Sequence, residues 1–121
     1  MKRLMLLAAH SAPFLLGIVL SYFFWRSSLL LLVIYLAVTF LVIATGDDGK
    51  TEVGIFIYGI VAGTVIELWG SAVSGYQHWE VVDGMLTIPY WLIVSWGYGF
   101  VLMKRIGLII GTGSPWVPRH D

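Results

Sequence analysis

The sequence predicts an all-α integral membrane protein, a four-helix bundle with both termini in the cytoplasm. Three observations carry this. The chain of 121 residues is 59% hydrophobic and only 12% charged, with a mean hydropathy of +0.89. Soluble domains average about 45–50% apolar and about 25% charged, so this chain lacks the polar surface to cover a globule in water. Its apolar residues fall in four long stretches separated by short polar ones, and its basic residues gather on one side of those stretches. A single membrane domain, 1–121, accounts for the whole length. The formal net charge is zero, which argues against nucleic acid as a partner. Cysteine is absent, which excludes disulfides, thiolate metal ligands and thiol redox chemistry.

The spans are expected at about 4–25, 29–45, 53–74 and 86–105. Leu4 to Trp25 is apolar except for His10, Ser11 and Ser21. As a helix it rises roughly 33 Å, enough for a hydrocarbon core of about 30 Å. A secretory signal peptide is the rival reading of this stretch. It is too long for a signal h-region, and no small-x-small cleavage site follows it. Arg26-Ser27-Ser28 forms a minimal turn. Leu29 to Thr45 is the purest apolar run, a short second span. Gly46 to Glu52 reads as a polar loop with turn residues and charges. Val53 to Ser74 is the third span, and Gly75 to Thr87 the second polar connection. Pro89 suits the first turn of the fourth helix, where its missing N–H leaves nothing unpaired. Lys104-Arg105 marks the end of that crossing, and 111–121, with Pro115 and Pro118, reads as an irregular cytoplasmic tail.

Four spans put the N-terminus, the 46–52 loop and the C-terminus on one side. Lys2, Arg3, Lys50, Lys104, Arg105 and Arg119 lie there, against Arg26 alone on the other. Basic residues stay in the cytoplasm, so this bias fixes the orientation. A multi-pass protein of a prokaryotic inner or plasma membrane is expected. Tyr22, Phe23, Phe24, Trp25, Tyr76, Trp79, Tyr90 and Trp91 would then form an outer aromatic belt at headgroup depth.

At 100° per residue, Gly59, Gly63, Glu67, Gly70 and Ser74 fall within an arc of about 80° on the third helix. Small residues on one stripe let a neighbouring helix approach closely, and Gly59-x-x-x-Gly63 is such a pattern. Gly59, Gly63, Gly70 and Ser74 are therefore expected at a helix contact, with Glu67 facing protein. His10, Phe14, Gly17 and Ser21 share a stripe on the first helix. Trp91, Ser95, Tyr98 and Leu102 share one on the fourth. Glu67 lies about 21 Å along its helix from Val53, in the outer third. An acid at that depth is costly unless paired, protonated or wet, which makes it a functional candidate. It is expected to donate or accept a proton, or to hold a ligand's polar head. Ser71, Trp91, Ser95 and Tyr98 are expected to line the same ligand site. The plainer alternative is a Glu that fixes packing by hydrogen bonds to Ser71, Ser95 or Tyr22. His78, Glu80 and Asp83 match no specific metal motif and read as a solvated loop. His10, near the cytoplasmic end, reads as an interior histidine remote from Glu67.

The order of Glu67, Gly70, Gly75-Tyr76, Trp79, Gly84, Ile88-Pro89 and Trp96 resembles a segment of carotenoid-modifying membrane proteins. These are the carotenoid hydratases and the small lycopene-cyclase domains. The resemblance covers about a third of the chain. It implies a long polyene handled within the bilayer, with Glu67 as the acid that protonates a double bond. The chain differs from the hydratases in having four spans. It differs from the cyclase domains in having Tyr90-Trp91 where they carry acids after the proline.

Three functions are compatible with these residues. One is an accessory or lipid- or pigment-binding subunit, associated with other membrane subunits or with itself, whose cofactor would be a bound lipid or carotenoid. The second is an intramembrane enzyme acting on an isoprenoid lipid, with Glu67 as general acid or base. The third is a dimeric proton-coupled transporter. Whether the chain is an enzyme stays open at this level.

Overall fold

The computed structural model describes residues 1–81 and 83–117. Pro118 and Arg119 lie outside them. The helices among the described residues are α1 (Lys2–Phe24), α2 (Ser28–Ala44), α3 (Gly49–Leu68) and α4 (Tyr90–Thr112). Three crossings are long and apolar enough for a membrane: α1, α4, and α3 taken through Val73. At 17 residues, α2 is shorter, and apolar apart from Ser28, Tyr35 and Thr39.

Helix boundaries differ from the expected spans in informative ways. The third helix starts at Gly49 rather than Val53, so Glu52 sits in its first turn and is buried. The fourth starts at Tyr90, not near residue 86, and runs to Thr112, past Lys104-Arg105. It stops where Gly113 takes a left-handed conformation and donates its N–H to the Ile109 carbonyl. This is a glycine C-cap, which avoids a Cβ clash in that backbone region.

The helix α4 is the hub. It packs on α1, α2 and α3, whereas α1 and α3 hardly meet. It carries the most buried residues, including Trp91, Leu92, Val94, Tyr98, Val101 and Leu102. In α1 only Gly17 is buried. The bundle is therefore open along one side, between α1 and α3, with α4 as the floor. The outward faces of α1, α2 and α3 expose large apolar side chains such as Leu15, Ile18, Val33, Phe40, Val61 and Val65, as a lipid solvent requires.

The closest approach is between α3 and α4. A Cβ on Gly59 would lie 2.9 Å from the Gly97 Cα, and one on Gly63 would run into the Trp96 ring. The expected glycine stripe is thus a contact inside the chain rather than a surface for self-association. Ser74 is a correction. It is exposed, and its N–H closes the helix end on the Trp69 carbonyl. The reason is a wider, π-helical turn over Trp69–Val73, which rotates later residues off the stripe.

Pro13 sits inside α1 and removes one helix hydrogen bond. In the same turn the Tyr98 hydroxyl donates to the Pro13 carbonyl at 2.6 Å, tying α1 to α4. Tyr35 donates to the Gly17 carbonyl at 2.9 Å. In lipid such side-chain donors tie helices together with no competing water. On the outer side, Gly84–Met85 (β1) and Ile88–Pro89 (β2) pair antiparallel. Ser28, at the start of α2, donates to the Asp83 carbonyl at 2.8 Å, fastening this hairpin to the bundle.

Candidate functional site

The bundle holds two buried acids, both on α3. Glu67 is 7% exposed. Its Oε1 accepts from Trp96 Nε1 at 3.0 Å. Its Oε2 accepts from Trp79 Nε1 at 2.9 Å and from the Gln77 amide. Three N–H donors thus converge on two oxygens. A carboxylate offers about four acceptor positions, so one remains. No cation helps: among the described residues, the ion pairs are those of Glu52.

The fold delivers each donor from a different place. Trp96 comes from α4, its ring seated on the bare backbone of Gly63. Gln77 and Trp79 come from the outer connection, which turns back after the π-helical segment. Gly75 takes a φ of 70° there, and the Gln77 N–H donates to the Gly70 carbonyl. Gly70 is bare for the same reason as Gly63. A Cβ on it would sit 2.8 Å from the Gln77 side chain.

Glu67 also lines a cavity of about 400 Å³ with Phe14, Leu92, Ser95, Trp96, Gly99, Phe100 and Met103. A second cavity of about 300 Å³ shares Phe14, Ser95 and Gly99, and continues to Ser21, Tyr35, Trp91 and Tyr98. Together they form a furrow along α4 on the open side of the bundle. The lining is apolar apart from Glu67 and a few hydroxyls. No family model, curated protein or solved structure matches this chain.

Four residues were expected around Glu67, and the structure sorts them. Ser95 lines both cavities, but its hydroxyl donates to the Leu92 carbonyl, not to the acid. Trp91 and Tyr98 line the second cavity, away from Glu67. Ser71 donates to the backbone carbonyl of Glu67 and meets the Thr87 hydroxyl at 2.6 Å. It lines neither cavity, so it leaves the expected ligand set. Tyr22 is exposed and plays no part. The aromatic belt is thinner than expected, because Trp91 is buried and Trp79 is committed to Glu67. His78, Glu80 and Asp83 are exposed.

The second acid was read as a loop charge. Glu52 is fully buried. Arg105 grips it in a two-pronged pair, Nε to Oε1 at 2.8 Å and NH2 to Oε2 at 2.7 Å, and Lys104 adds a contact at 3.1 Å. Arg105 also donates to the Val42 carbonyl at 2.5 Å and lies 5.0 Å from the Trp116 ring centroid. This one guanidinium joins α2, α3, α4 and the tail. His10 is half-buried rather than interior; it meets Trp116 edge-on at 6.1 Å, at the opposite end from Glu67.

Proposed function

We propose that this multi-pass membrane protein binds a lipid with a long apolar chain in the furrow between α1 and α3, with Glu67 receiving its polar head. The supporting observation is the continuity of the two cavities beside an uncompensated acid. Ligand sites are typically 300–1,000 Å³, largely apolar, with a few convergent polar groups. Here the apolar part is Phe14, Gly99, Phe100 and Met103, and the convergent group is Glu67. Its free acceptor position suits a hydroxyl on the ligand. An isoprenoid alcohol or a hydroxylated polyene carries both parts. The protein would act as an accessory or carrier subunit in a plasma or prokaryotic inner membrane.

A carrier suits the acid's surroundings better than an enzyme does. Indole N–H groups donate only, and two of the three partners are indoles. They hold Glu67 as an acceptor rather than as a proton donor to a double bond. Purification in mild detergent, lipid extraction and mass spectrometry test the proposal. A hydroxylated long-chain lipid should copurify, and absorbance beyond the aromatic band would mark it as a polyene. A preparation that neither carries such a lipid nor takes one up overturns the proposal. Copurifying membrane subunits would support the accessory role.

A further inference from the structure

A third cavity lies at the opposite end, and the lipid furrow does not use it. It measures about 330 Å³ and opens between the first turns of α1 and the segment after α4. Lys2, Leu6, His10, Ser114 and Trp116 line it. Among the described residues no acid does, and the first turn of α1 carries none. The nearby acid, Glu52, is already taken by Arg105 and Lys104.

Among the described residues, the basic side chains near it other than Lys2 are engaged. Arg3 donates to the Ile109 carbonyl at 2.8 Å and to that of Ile110, so it serves the end of α4. Lys2 has no ion pair among the described residues. The Ser114 oxygen accepts the Trp116 N–H at 3.2 Å. Its own O–H finds no acceptor among the described residues. Among the described residues, a lysine, a histidine ring and a hydroxyl therefore face a cavity that no acid lines. Trp116 is held from two sides, by Arg105 and His10, which keeps the cavity wall in place. Basic pockets between helices at the cytoplasmic surface suit anionic head groups, whose surface potential concentrates them there.

We propose that this cavity seats a phosphate group at the cytoplasmic membrane surface, with Lys2, His10 and the Ser114 hydroxyl as its donors. An anionic phospholipid or free phosphate can supply that chemistry. Native mass spectrometry of the detergent-solubilised protein separates them. One arm titrates phosphatidylglycerol against phosphatidylcholine, and the other titrates inorganic phosphate. A lipid source gives preferential binding of phosphatidylglycerol. Lys2→Gln should weaken that binding about fivefold, the worth of one lysine near an anionic surface. Lys50→Gln, on an exposed lysine outside the cavity, should leave it unchanged. Saturable phosphate binding that Lys2→Gln weakens, with no preference between the lipids, keeps the site and assigns it to the free ion. Equal binding of both lipids with no phosphate binding overturns the proposal. So does a phosphatidylglycerol preference that survives both Lys2→Gln and His10→Gln. Lys2 and His10 are surface and half-buried residues, and an unchanged unfolding temperature would show that the variants fold.

Discussion

Glu52 and Glu67 sit on one stripe of one helix, and the bundle treats them in opposite ways. Glu52 is fully buried and neutralised by a bidentate arginine and a lysine. No cavity touches it among those described. Glu67 is held by three neutral N–H groups, keeps a little exposure, and borders a 400 Å³ cavity. An ion pair of the first kind settles its electrostatics internally and has nothing left to offer a ligand. A carboxylate held only by dipoles stays electrostatically incomplete. The comparison teaches that burial alone does not mark a functional acid. What matters is whether the surroundings supply a counter-charge or a cavity.

Five substitutions probe this contrast, in order of size. Arg105→Met leaves Glu52 buried with only Lys104, and should cost about 3–5 kcal/mol of stability. Adding Glu52→Met to it should restore much of that loss, because the fully buried carboxylate is then gone and only the partly exposed Lys104 lacks its partner. Thermal unfolding in detergent reads both; a single-variant loss below about 1 kcal/mol would show the pair is not the pin. Gly63→Ala drives a methyl into the Trp96 ring, and should cost about 3 kcal/mol by overpacking. Trp96→Phe keeps an aromatic ring near Gly63 but removes the N–H to Glu67 together with part of the indole. About 1–2 kcal/mol should be lost, with weaker lipid retention by mass spectrometry. Gly99→Ala meets nothing closer than Phe14 at 3.8 Å. It should gain up to about 1 kcal/mol through helix propensity.

Much of the fold was legible. The apolar runs gave the helices, since a bilayer demands long runs of apolar residues. The stripe of Gly59, Gly63 and Glu67 gave the buried face of α3. Glu52 was missed because Gly49, Lys50 and Glu52 look like a loop, and its partner Arg105 is far away in sequence. A signal existed nonetheless: Glu52 lies seven residues before Gly59, two helical turns, so it continues the same stripe. The donors to Glu67 had no such signal. Gln77 and Trp79 reach the acid through a π-helical turn and an irregular loop, and neither has a period. The displacement of Ser74 follows from the same turn, whereas Ser71 turns its hydroxyl back to the Glu67 carbonyl one turn earlier.

The claim that matters most is that the furrow beside Glu67 is a lipid site. Gly99 lines both of its cavities, and a Cβ on it would meet only Phe14, at an ordinary 3.8 Å. Gly99→Leu would add bulk to the furrow while leaving Glu67 and its three donors unsubstituted. The decisive measurement is native mass spectrometry of this variant beside the wild type, each purified in the same mild detergent. A folded Gly99→Leu protein with its long-chain lipid lost is the expected result. Retention of the same lipid at the same occupancy would contradict a ligand in the furrow.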